Sequence, residues 1–402
     1  MTPLPRPTKE GRIPFKIPSV DKPCYTHYQI FGDISKKIPI VGLHGGPAGK
    51  IAHQFSIILL WQQFGIPAIL YDQIGCGGST LLPEKYDDRS FWQVPLFVDE
   101  LDNLVNFLDL RGTGFCLFGE SWGAGVAAEY ATSRPRGLRK LLLACPYAST
   151  ALFQTVMDIR VSELPRPDRD AIAHAHATRD YENQAYKDGL LAFFQHAVIR
   201  TKPWKPEWVD HIFNSGWLED PVRAIIPIEG SVSDWNVTSR LHKINVPTLM
   251  WDGEFDTAYD LASRPFFEHI PKVRWAVFPG VGQAVMTDET PQHCRLIRII
   301  KTFLLNGDLR EQEALLEGNK LHNTGRKLSS LAPDTKTGRH ACDEEAVLNG
   351  DDAVLRQSTW PRSILQRTPL AVVIGLMIFW SYPARAVSSM VFAETNASHG
   401  HL

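Results

Sequence analysis

The chain has 402 residues, of which 44% are hydrophobic and 21% charged, with a formal net charge of -2. That length holds two or three domains, or one large domain with an insertion and a tail. The composition is globular and excludes collagen-like, wholly disordered and disulfide-stapled classes, and the near-neutral charge supplies no basic surface for nucleic acid.

The N-terminus, MTPLPRPTKEGRIPFKIPS, carries prolines and charges where a secretion signal would carry an apolar run, so a cytoplasmic protein is expected. Six cysteines, Cys24, Cys76, Cys116, Cys145, Cys294 and Cys342, are scattered without a C-x-x-C pair. This spacing favours buried or free thiols over a disulfide framework or a zinc site, and no metal or other cofactor is expected.

From about residue 25 to 150, short apolar runs alternate with helical patterns. IPIVGLHGG (38–46) reads as a buried strand entering a glycine turn, and HQFSIILLWQQFG (53–65) has helical spacing. IPAILYDQIGCGGS (66–79) is strand then turn, and PLFVDELDNLVNFLDLRG (95–112) is an amphipathic helix. FCLFGESWGAGVAAEYATS (115–133) is strand, tight turn and helix, and KLLLACPYAS (140–149) is strand again. Such alternation predicts a mostly parallel sheet with helices on both faces.

Residues 150–240 hold no strong strand and carry helical patterns with scattered tryptophans and prolines, which predicts a helical cap between core segments 1–149 and 241–307. Strands return at VPTLMWDGEFD (246–256) and VRWAVFPGVG (273–282), and RLIRIIKTFLLNG (295–307) closes the core with a glycine stop. Residues 308–402 read as a disordered tail. Within it, 368–384 is a 17-residue uncharged run with two prolines, short of the ~20 residues a spanning helix needs, so membrane contact there is the lesser reading.

Gly119-Glu120-Ser121-Trp122-Gly123 is a G-x-S-x-G between a strand and a helix, the context of a nucleophile elbow. An elbow serine needs N–H donors for an oxyanion. One is the N–H of Trp122, and the other comes from the His44-Gly45-Gly46-Pro47 loop, at Gly45 or Gly46. His44 reads as a structural histidine of that loop rather than a base. The turn from Tyr71 to Ser79 lacks a phosphate-binding pattern and reads as a tight turn beside the site. An acid belongs in the turn after a late strand, where Asp256 is preferred over Asp252.

HGGPAG, YDQIGCGGST, GESWGAG, GEFDTA and the insertion after PYAS together resemble the proline iminopeptidase group of α/β-hydrolases, with its amino-acid amidase relatives, the fungal branch nearest. The resemblance covers residues 10–307. It implies the α/β-hydrolase fold and hydrolysis of an N-terminal aminoacyl amide or peptide bond through an acyl-enzyme. The partner it implies is a small peptide or amino-acid amide. It also implies a histidine in the turn after the last strand, but Pro279-Gly280-Val281-Gly282-Gln283 puts glutamine there. His269 precedes the last strand, and His293 falls ten residues late. Gln283 could donate to Asp256 and accept from Ser121, yet it cannot carry a proton at neutral pH. Glu120 stands where proline-specific members tend to have glycine, and would face a substrate amine or bond the turn. Asp234 matches a family acid that holds the substrate's amine, or is a solvated loop carboxylate.

Three readings follow: a serine hydrolase of the iminopeptidase or amidase type, a non-catalytic binding protein on the same fold, and a biosynthetic enzyme using the pocket without a full triad.

Overall fold

The computed structural model describes residues 5–46, 49–204, 206, 209, 230–285, 291–305 and 354–357. All lie in one contact unit, Met1–Ser358. The apolar segment 368–384 lies outside the described residues.

One sheet organises the core, in the order β1-β2-β4-β3-β5-β6-β7-β8-β9. Its central strands are β3 (Ile40–Leu43), β4 (Ala68–Tyr71), β5 (Phe115–Glu120), β6 (Leu138–Ala144), β7 (Thr248–Gly253) and β8 (Val273–Phe278), all parallel. Parallel strands need crossover helices, which cover both faces and leave the strands buried throughout. Alternate residues therefore enter different cores. Val41, Leu117, Leu141, Leu143 and Met250 pack on one face; Ile40, Phe118, Leu142, Leu249 and Trp251 pack on the other.

The helices follow from their sequences. In α1 (Phe55–Phe64) the chain stops at Gly65, which takes the left-handed conformation at φ 61° that glycine adopts without cost. In α2 (Val94–Phe107) a proline opens the first turn, and Phe97, Leu101, Leu104 and Val105 form the buried stripe. After the short α3 (Leu110–Thr113), α4 (Trp122–Thr132) is buried nearly all round between β5 and its neighbours. The insertion contains α5 (Thr150–Ser162), α6 (Arg166–Thr178) and α7 (Gln184–Ala197). It has a small core of its own, with Leu164, Ile172, Tyr186 and Phe193 buried. A 3-10 helix at Thr238–Lys243 returns the chain to the sheet, followed after β7 by α8 (Asp260–His269) and after β8 by α9 (Pro291–Leu305).

Three features depart from the sequence reading. Antiparallel β1 (Lys9–Pro14) and β2 (Tyr25–Phe31) extend the sheet beyond β4. β1 is a mostly exposed polar edge strand with no apolar run to mark it. The expected disorder of 308–402 does not hold at β9 (Val354–Gln357), which pairs antiparallel with β8. The pairing uses the open backbone groups of β8 rather than any hydrophobic pattern in VLRQ. Cys24, Cys76, Cys116 and Cys145 are free thiols, as expected, but Cys294 is disulfide-bonded. Among the described residues no helix is long and apolar enough to cross a membrane.

Candidate active site

The sheet order reverses between β3 and β5: β4 lies on one side of β3 and β5 on the other. Ligands of open α/β sheets bind at the carboxyl ends of strands beside such a reversal. Leu43 pairs with Gly119 and Glu120 with Ala144, so Gly45, Ser121 and Cys145 emerge side by side.

Ser121 has φ 52° and ψ -115°, a conformation that costs a non-glycine residue on the order of 1–3 kcal/mol. The flanking glycines permit it. A Cβ on Gly119 would overlap the Gly123 carbonyl oxygen, and a Cβ on Gly123 would overlap the carbonyl oxygens of Leu43 and His44. Helix and strand therefore meet at backbone distance, with Ser121 held at the bend. Its own N–H donates to the Ala144 carbonyl at 2.8 Å, and its carbonyl accepts from Ala124 at 2.9 Å and Gly125 at 3.2 Å.

The Gly45 loop comes equally close. A Cβ there would stand 3.3 Å from the Glu120 carbonyl oxygen and 3.5 Å from the Ser121 Cβ. Among the described residues, the backbone N–H groups of Gly45, Gly46 and Trp122 have no protein acceptor. His44 is fully buried, accepts the Gln73 N–H on Nε2 at 3.0 Å and places Nδ1 2.8 Å from the Gly45 carbonyl. Nδ1 therefore carries the hydrogen, and burial lowers the pKa of the ring. His44 is a brace of the loop. Gln73 completes the brace: its amide nitrogen donates to the His44 carbonyl and its oxygen accepts from the Trp122 indole, both at 2.9 Å. The sequence marked this turn only as a neighbour of the site. A polar residue in a buried glycine-rich turn was the available signal.

The two acid candidates separate cleanly. Asp252 accepts from Trp275 Nε1 at 2.6 Å and from Ser263 Oγ at 3.0 Å, a core acceptor facing α8 and β8. Asp256 is fully buried in the turn after β7, where it accepts the N–H of Ala258 at 2.8 Å and of Gly253 at 3.3 Å. Burial pushes its carboxyl upward, opposed by the Cys145 thiol and those two N–H groups.

Gln283 lies against this turn. Phe255 N–H donates to the Val281 carbonyl, and a Cβ on Gly253 would overlap the Gly282 carbonyl oxygen. The Gln283 side-chain oxygen accepts from the Thr257 hydroxyl at 2.7 Å, and its backbone carbonyl accepts from the Cys145 thiol at 3.2 Å. The expected bridge from Asp256 through the amide to Ser121 is not formed among the described residues.

The insertion is pinned to the same turns. Arg160 of α5 donates to the carbonyls of Asp256 at 3.0 Å and Glu254 at 2.7 Å, and pairs with Glu163 at 2.9 Å. Gln283 and Ala284 N–H donate to the Ala197 and Val198 carbonyls at the end of α7. No local pattern in the sequence marks Arg160, because only the fold brings it to residue 256.

Glu120 is half-buried and makes no side-chain hydrogen bond or ion pair among the described residues, so it does not bond the turn. Asp234 lies exposed and likewise unpaired among the described residues. Among the described residues, no group of three or more histidine, cysteine or acidic side chains could hold a metal ion.

A sheet reversal, a strained elbow serine and a glycine loop beside it define an α/β-hydrolase. The chain belongs to the alpha/beta hydrolase family, whose profile matches residues 40–293. Within that family it is proline iminopeptidase-like. It is 30% identical over 283 residues to the proline iminopeptidase of Lactiplantibacillus plantarum, covering 68% of this chain and 95% of that protein. It is 30% identical over 300 residues to that of Lactobacillus helveticus, covering 72% and 96%. Among solved structures, the proline iminopeptidase of Mycobacterium smegmatis has a TM-score of 0.64 at 28% identity, covering 77% of this chain and all of that one. VinJ has a TM-score of 0.65 at 32% identity, covering 74% and 98%. These relatives give no support to the fungal placement.

Proposed function

We propose that this protein is a serine hydrolase that cleaves an N-terminal aminoacyl amide or peptide bond through an acyl-enzyme. The observation that carries the reading is Ser121, held at positive φ between two obligatory glycines with acceptor-free N–H groups beside it. Ser121 is the nucleophile, and Trp122 with Gly45 or Gly46 supplies the N–H donors for the oxyanion. Asp256 is the acid of the constellation, with Gln283 in the position of the histidine. The substrate class comes from the relatives, which are proline iminopeptidases.

The Thr257–Gln283 bond favours a second reading. An amide anchored to a neighbouring hydroxyl carries no proton, and a binding protein on this fold needs none.

A serine-directed fluorophosphonate, followed by peptide mass mapping, separates the two. The hydrolase reading expects an adduct on Ser121 that Ser121→Ala abolishes. No adduct in either the wild type or Gln283→His would overturn it.

A further inference from the structure

We propose that Arg160, a residue of the insertion, is a positioning residue of the site: it holds the turn that carries Asp256, so the acid keeps its aim only while α5 stays docked. The inference rests on the hydrolase reading and deepens it. Direct contacts carry it. Arg160 is 4% exposed, and every nitrogen of its guanidinium donates. Nε donates to the Asp256 carbonyl at 3.0 Å and Nη2 to the Glu254 carbonyl at 2.7 Å. Nη1 donates to both Glu163 oxygens, at 3.1 and 2.9 Å. The guanidinium carbon lies 4.5 Å from the centre of the Tyr259 ring and 5.7 Å from that of Phe255. Rings on both sides of Asp256 in the chain therefore fix the plane of the fork. A buried cation costs several kcal/mol unless its partners are well placed. An apolar side chain would fill the space without that cost, but it would not direct two carbonyls.

The turn is held from two sides. Its N–H groups point to the core: Glu254 N–H donates to the Phe278 carbonyl at 2.9 Å and Phe255 N–H to the Val281 carbonyl at 3.0 Å. Its carbonyls at 254 and 256 point to Arg160. The Asp256 carboxylate takes its backbone bonds from Gly253 and Ala258, neighbours in the same turn, so its aim follows the pose of that turn. The Arg160 charge acts in the same sense. Burial raises the Asp256 carboxyl, while the Cys145 thiol, the two N–H groups and the Arg160 cation oppose it.

The brace continues into the rest of the insertion. The Glu163 carboxylate that pairs with Arg160 also lies 2.7 Å from Nε2 of His196 on α7. The Arg200 guanidinium, just past α7, lies 3.6 Å from the centre of the Phe255 ring. Both helices thus reach the Asp256 turn through one linked set of groups, and Arg160 is the member that bonds its backbone on either side of Phe255.

The test is a double-variant cycle on the rate of fluorophosphonate labelling at Ser121. The parent is wild type or Gln283→His, whichever labels faster, and it carries Arg160→Met, Asp256→Asn or both, with urea unfolding of each protein alongside. The inference expects Arg160→Met to slow labelling about 10- to 10²-fold, the scale on which a small misplacement acts. It expects Arg160→Met to change the rate by less than about twofold once Asp256→Asn is present, because residues that act as a unit are not additive. A merely structural role would slow both backgrounds by the same factor, and that result overturns the inference while leaving the hydrolase reading standing. So does a folded Arg160→Met that labels at the parent rate, or an Asp256→Asn that does. Where Arg160→Met does not fold, Glu163→Gln takes its place in the cycle, since it removes the carboxylate partner of the fork without touching the turn. A smaller loss is expected there, with the same results for and against. Labelling in neither wild type nor Gln283→His overturns the hydrolase reading and this inference with it.

Discussion

The Thr257 hydroxyl donates to the Gln283 side-chain oxygen at 2.7 Å, one residue away from Asp256 in the chain. This bond decides which way the amide points. It ties the turn after β7 to the turn after β8 and withdraws the glutamine oxygen from Ser121. Thr257 is 4% exposed, so its hydroxyl has little recourse to water. Thr257→Val keeps the shape and removes the donor. Chemical unfolding should show a loss of about 1 kcal/mol. An unchanged midpoint and slope would mean that the bond contributes nothing.

Glu100 sets a pH dependence. It is fully buried on α2, accepts from Thr26 Oγ1 at 2.6 Å and Ile74 N–H at 2.9 Å, and is raised to about 8, chiefly by burial. In the unfolded chain it titrates near 4.5. Between those values the folded protein holds a proton that the unfolded chain releases. Its contribution therefore favours folding at pH 5 and is lost as pH rises toward 8. The expected fall is on the order of a few kcal/mol, and Glu100→Gln should flatten it. Urea unfolding at pH 5 and 8 checks this; an equal difference between variant and wild type at both pH values contradicts it.

The fold was largely legible because its signals are local. Apolar runs of four to seven residues between helical patterns mark β3 to β8, and G-x-S-x-G between strand and helix marks the elbow. β1 was illegible because an exposed edge strand needs no apolar pattern. α8 was obscured by Pro265 inside it. Of the candidate site, sequence named Ser121, Gly45, Trp122 and Asp256 from order and spacing. It could not show that Asp252 faces Trp275, that Gln283 faces Thr257, or that Arg160 crosses to the Asp256 carbonyl. Those are contacts between residues 23, 26 and 96 positions apart, set by packing rather than by any local pattern.

β9 predicts how truncations behave. A chain ending at residue 358 keeps the strand that pairs with Arg274–Val277. A chain ending at 310 leaves that edge of β8 open, a template for pairing with other chains. The shorter protein should self-associate at concentrations where the longer stays dispersed, as read by light scattering. Equal dispersion of both would show that β9 protects nothing.

The central claim is that a serine-hydrolase site stands assembled around Ser121 with glutamine where its histidine belongs. The most direct measurement is turnover of amino-acid arylamides, the proline derivative included, by wild type, Gln283→His and Gln283→His/Ser121→Ala. An imidazole between Asp256 and Ser121 restores a proton carrier with a pKa near working pH. The account predicts a gain in kcat/KM of about 10²–10⁴ in Gln283→His, below the full cost of a lost triad member, and its disappearance in the double variant. A Gln283→His protein that folds normally and gains nothing, or a gain that survives Ser121→Ala, would contradict it.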